Sequence, residues 1–106
     1  MNSMTLELSH MQAAADQACR LMKVLANADR LMILCQLSQG EKRVGELEAL
    51  LGIVQPTLSQ QLTVLRDEAL VSTRRDGKAI YYQLSSPQAL AVMEVLYVQF
   101  CGPSKE

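Results

Sequence analysis

A chain of 106 residues, 49% hydrophobic and 20% charged, suits one folded domain, which excludes a disordered tail and argues against two domains. No stretch approaches the roughly 18 uninterrupted apolar residues of a membrane span, and no basic-then-apolar export pattern opens the chain, so the expected compartment is the cytosol. A formal net charge of −1 gives no whole-chain support for nucleic-acid binding, which must be argued from where the charges sit.

From about Ser9 to Leu25, apolar residues Met11, Ala14, Ala15, Ala18, Leu21, Met22 and Leu25 recur at three- and four-residue steps, predicting a first helix with a broad apolar face. Asn27 or Asp29 is placed to cap a second helix, where Leu31, Met32, Leu34, Cys35 and Leu37 repeat helically until Gly40. Two short helices follow, Val44 to Leu51 and Gln55 to Glu68, with Gly52 suited to end the first in a left-handed conformation. The second starts at Gln55 or Pro56, since a first-turn proline loses no intrahelical bond. Two short helices around a glycine turn are the layout of a helix-turn-helix.

On the second of these helices Leu58, Gln61, Leu62 and Leu65 share one side, and Thr57, Ser59, Gln60 and Thr63 spread over the others. Amide and hydroxyl groups read base edges in the major groove, and a face without carboxylates escapes phosphate repulsion. Gln55, Thr57, Ser59 and Gln60 are therefore the candidate base-reading residues, while Gln61 serves either DNA or packing. An ordinary amphipathic surface helix has the same wheel; the preceding short helix and glycine turn favour a recognition helix.

After Leu70 the period shortens to two. Val71, Thr73, Ala79, Ile80, Tyr81, Tyr82 and Leu84 surround Asp76-Gly77, predicting a two-stranded hairpin. Arg74, Arg75 and Lys78 on this hairpin, with Arg66 before it, are the candidate wing and phosphate-contacting residues, although charge alone fits a solvated hairpin equally well. Tyr81 and Tyr82 are expected to pack. Pro87 opens a last helix whose stripe of Ala89, Val92, Met93, Leu96 and Phe100 runs to Cys101 before Gly102 and Pro103 end it. The fold class expected is mainly α with a small β-hairpin, a winged helix-turn-helix, as one domain over residues 1–106 with flexible ends at 1–8 and 102–106. Both terminal helices carry more apolar face than so small a core needs. That predicts a homodimer, with recognition helices about one DNA turn apart on a pseudo-palindromic double-stranded operator.

No nucleophile–base constellation or phosphate-cradling glycine loop is present, so neither enzyme activity nor a cofactor is expected. A metal site is not expected either: Val44 to Leu51 supplies only Glu46 and Glu48, the last helix only Glu94, and the sole histidine, His10, stands alone. Three cysteines in a cytosolic chain do not make a disulfide framework. Leu34 and Leu37 give Cys35 an apolar setting, which raises a thiol pKa, and Cys101 lies at the unfavourable end of a helix dipole. Packing and sensing both remain open for Cys35, and Cys19 reads as packing or incidental exposure.

The segments ANADRLMILCQL, VGELEALLGIVQPTLSQQLTVLRDEALV and TRRDGKAIYYQL resemble the ArsR family of bacterial winged-helix repressors, over nearly the whole chain. The pair Cys35 and Cys101 makes it most similar to the persulfide-responsive branch. That resemblance implies a repressor of sulfide-detoxification-type genes that binds its operator when reduced. Reactive sulfur such as glutathione persulfide then links Cys35 to Cys101 by a disulfide or polysulfide bridge and releases the DNA. The alternative is a repressor responding to metal or general oxidant, its cysteines outside any persulfide switch. Two features depart from the branch: Cys19 is an extra thiol, and Arg43 stands where a capping Ser or Thr is usual, a local loss of about 1 kcal/mol.

Overall fold

A computed structural model describes the backbone of residues 2–102 and the side chains of residues 7–102. The order is α1 (Asn2–Leu25), α2 (Ala28–Leu37), β1 (Lys42–Arg43), α3 (Val44–Leu51), α4 (Thr57–Asp67), β2 (Val71–Asp76), β3 (Ala79–Leu84) and α5 (Pro87–Leu96), which continues into a π-helical turn, Tyr97–Cys101. This is the winged helix-turn-helix: helices around one core, with a small antiparallel sheet at the edge.

Helix α1 begins at Asn2 rather than near Ser9. No Gly or Pro interrupts residues 2–8, so nothing in that segment stops the helix from running back. Of the ends expected to be flexible, 1–8 and 102–106, the backbone of 2–8 is helical, and residues 1 and 103–106 lie outside the described residues. Asn27 caps α2, its side chain accepting from the Arg30 N–H at 3.0 Å. At α3 the capping duty has moved: Glu46 accepts from the Arg43 backbone N–H at 2.8 Å. This is one half of a capping box, since the donor-only Arg43 side chain cannot complete the other. Gly52 closes α3 in the left-handed conformation, φ 69°, as its position predicted.

Leu47 from α3 and Leu58, Leu62 and Leu65 from α4 meet Ile33, Leu34 and Leu37 of α2 in the core. The leucine spacing on α4 is thus the packing face of a helix laid across α2. Ala69 ends that helix at φ 64°, the place glycine usually takes, and the Leu70 N–H bonds back to the Leu65 carbonyl at 2.9 Å.

The sheet has three strands, not the two expected, in the order β1-β3-β2. Lys42 pairs with Tyr82 and Arg43 with Tyr81, so the extra strand is two residues long, too short to leave a period in the sequence. β2 and β3 pair from Val71–Leu84 to Asp76–Ala79. The turn is therefore Gly77-Lys78, with Gly77 at φ 64° and glycine in the first loop position. Ser86 caps α5 through its hydroxyl, 3.0 Å from the Ala89 N–H, with Pro87 in the first turn. Ala89 and Met93 are buried, but Phe100 is 81% exposed. The stripe that periodicity assigned to this helix is thus buried only in its first part, and Phe100, in the π turn, stands open to solvent in a single chain.

Candidate nucleic-acid interface and thiol cavity

Burial of Leu58, Leu62 and Leu65 turns the opposite side of α4 outward, and Ser59, Gln60, Thr63 and Arg66 are exposed there. The five candidate base readers do not stand alike. Ser59 and Gln60 project from the open face. Gln55 is exposed, but its side-chain oxygen accepts from the Ser59 N–H at 3.0 Å, capping the first turn of α4 in place of a Ser or Asp. Thr57 is half-buried. Gln61 is half-buried and accepts from the Arg30 guanidinium at 2.9 Å, so of its two expected roles the structure displays the internal one.

Arg30 had no place among the sequence candidates. Besides Gln61, it donates to the Val24 carbonyl at 2.7 Å and the Lys23 carbonyl at 3.3 Å. A guanidinium on the last carbonyls of α1 satisfies groups a helix end leaves unpaired and complements its dipole. The same side chain thus ties α1, α2 and α4 together. The readable signal was a lone Arg in the first turn after the Asn27 cap, close in sequence to the end of the preceding helix. A second link joins these regions, Arg20 to Glu68 at 2.8 Å.

The wing candidates also divide. Arg74 donates to Glu41 through Nε at 3.1 Å and through a second nitrogen, and its guanidinium lies 4.6 Å from the Tyr81 ring centroid. The paired guanidinium holds the Glu41 carboxyl below its ordinary range. Among the described residues Arg66, Arg75 and Lys78 enter no ion pair and are exposed, so their charge faces solvent.

On another side of the molecule, α2 faces the end of α5. Cys35, half-buried on α2, and Cys101, exposed at the end of the π turn, line one cavity of about 610 Å³. Burial pushes the Cys35 thiol up, and the neighbouring Cys101 pushes it further. Gly102 ends the turn where any Cβ would collide with the Val98 carbonyl oxygen. Cys19 is exposed on α1, away from this cavity. Among the described residues there is no cluster of three or more His, Cys, Asp or Glu side chains.

Among the described residues no helix is long and apolar enough to cross a membrane. Residues 27–73, from the cap of α2 into β2, match the family described as "Bacterial regulatory protein, arsR family". The biofilm growth-associated repressor of Agrobacterium fabrum is 50% identical over 98 residues, 92% of this chain and 84% of that protein. The crystal structure of the transcriptional repressor BigR from Xylella fastidiosa superposes with a TM-score of 0.83 at 45% identity, covering 90% of this chain and 97% of that one. The homodimeric winged helix-turn-helix DNA-binding domain of Mb0332 from Mycobacterium bovis, solved in solution, gives 0.73 at 34% identity over 84% and 82%. The first two are described as repressors and the third as a DNA-binding domain. With helix-turn-helix, wing and whole-chain identity in agreement, the chain belongs to the arsR family of bacterial regulatory proteins and is a winged-helix transcriptional regulator.

Proposed function

We propose that this regulator is a cytoplasmic, homodimeric repressor that holds a pseudo-palindromic operator duplex when reduced and releases it when reactive sulfur bridges Cys35 to Cys101. On this reading Ser59 and Gln60 meet base edges, with Gln55 and Thr57 at the helix entry, and Arg66, Arg75 and Lys78 meet phosphates. Arg74 joins them only when Glu41 lets it go. The regulated genes are those of sulfide detoxification. A second copy is supported by the apolar side chains that a single chain leaves exposed on α1 and on the π turn after α5, among them Met11, Val98 and Phe100.

The observation that carries the sulfur reading is the shared cavity, which brings together two thiols from distant parts of the chain. With glutathione persulfide as donor, the exposed Cys101 thiolate attacks the terminal sulfur, forming a Cys101 persulfide and releasing glutathione. The Cys35 thiolate then attacks the Cys101 sulfur and hydrosulfide leaves. One glutathione persulfide and two cysteine thiols thus give one disulfide, one glutathione and one hydrogen sulfide, and the donor is the oxidant. If a second persulfide takes part before closure, the Cys101 persulfide, the Cys35 thiol and the donor give a trisulfide, glutathione and hydrogen sulfide. Each added sulfur lengthens the bridge by roughly 2 Å, which spans thiols too far apart for a plain disulfide. A bridge from α2 to the end of α5 pins the terminal helix against the reading head and biases the spacing of the two recognition helices.

The test is operator binding by the reduced protein before and after glutathione persulfide, with intact-mass analysis and Cys35→Ser and Cys101→Ser controls. Wild type is expected to lose DNA as the bridge forms; Cys35→Ser gains one sulfur at Cys101 without bridging, and neither variant releases DNA. Because the Cys35 thiol is pushed up, its thiolate fraction at neutral pH is small, and bridge closure accelerates as pH rises from roughly 7 to 9. A bridged protein with unchanged operator affinity would sink the switch while leaving the repressor.

A further inference from the structure

The cavity between α2 and α5 holds more sulfur than a thiol switch uses. Met32 lies one helical turn before Cys35 on α2, and Met93 lies on the same face of α5 that leads through Tyr97 to Cys101. All four sulfur-bearing side chains line the one space, together with a single charged group, Glu94, and no histidine. Met93 is 4% exposed and Met32 49%, so one thioether is fixed in the core wall and the other stands at the rim.

Two thiolates flanked by thioethers are a soft donor set. Zinc takes nitrogen, oxygen and thiolate ligands and prefers four of them, which this cavity does not supply. A thioether adds little for zinc but is a preferred neutral ligand for monovalent copper. We propose that this cavity is a Cu(I) site, in which Cys35 and Cys101 are the thiolate ligands and a thioether of Met93 or Met32 is the third. Binding moves no electrons: one Cu(I) replaces two thiol protons, which pass to solvent, and the complex carries one negative charge. Glu94 at the lining attracts the incoming cation. Of the groups weighed from the sequence as metal ligands, Glu46 and Glu48 of α3 are not involved, and Glu94 of α5 is a charge at the lining, not a ligand. Sulfur bridging needs only the two thiols, whereas this site also needs the thioethers, so the two readings separate by mutation.

The experiment is an anaerobic titration of the reduced full-length protein with Cu(I) against a chromophoric Cu(I) chelator, followed by X-ray absorption at the copper edge. One copper per chain is expected, retained by wild type and lost in the Cys35→Ser, Cys101→Ser double variant. Met32→Leu with Met93→Leu is expected to weaken retention roughly tenfold while bridging by glutathione persulfide proceeds as in wild type. Protein grown with selenomethionine supplies a measurement that needs no variant, because a bound thioether then appears as copper–selenium scattering. Copper retained without the two cysteines, or a copper edge with no selenium neighbour, overturns the assignment.

Discussion

Arg74 carries its charge at the wing, yet Glu41 accepts two hydrogen bonds from its guanidinium and the Tyr81 ring lies against it. A phosphate must compete with that carboxylate. Glu41→Gln removes the competitor and leaves the strand pairing intact, so operator affinity is expected to rise and the plot of log affinity against log salt to steepen by about 1. Binding measured across a salt series checks this; an unchanged slope would mean that Arg74 never reaches the backbone. The pH sense follows from the lowered Glu41 carboxyl. The pair holds above the ordinary carboxylate range and is lost as pH falls through the depressed value. At this scale the sequence was legible where a side chain needed only a face: Ser59 and Gln60 are exposed, as their places on the wheel required. It was not legible for Gln55 and Gln61, because their side-chain oxygens answer to partners set by the turn before α4 and by Arg30 on α2. Wheel position says nothing of such partners.

Helices α2 to α5 were readable because their leucines repeat and their caps are chemically marked. Asn27, Gly52 and Pro87 stand at observed ends. The two-residue β1 and the π turn at Tyr97–Cys101 were not, since neither is long enough to impose a period and both depend on what lies beside them. Between elements, the Arg30 side chain is the connection with most bonds: it holds the end of α1 and one side of α4 at once. Arg30→Met keeps the aliphatic stem but leaves the Val24 and Lys23 carbonyls and Gln61 without this donor. A loss of about 1–3 kcal/mol is expected in urea unfolding, with specific operator binding weakened more than binding to unrelated duplex. If the two DNA affinities fell by the same factor, Arg30 would be stabilising the fold without setting the pose of α4.

Over the whole molecule, the core gathers α2, α3, α4 and the sheet, and takes only the last turn of α1 and one side of α5. Periodicity located the apolar faces of the terminal helices and showed them to exceed what one small core needs, but not which side chains stay open, because that depends on how far each helix runs past the core. Phe100 is 81% exposed and is the sharpest probe of that surface. Burying a phenyl ring is worth roughly 1.5–3 kcal/mol, so Phe100→Glu is expected to raise the dimer dissociation constant at least tenfold, measured by sedimentation velocity over a dilution series. An unaltered association state would place the seam elsewhere. The lone α1 helix also has a consequence for the life of the protein in the cell. Residues 7–20 are exposed on every side in a single chain, and a helix without packing frays readily. In the proposed dimer a paired subunit hides this helix, so a single chain is expected to offer proteases an opening that the pair does not, and surplus single chains are expected to be cleared first.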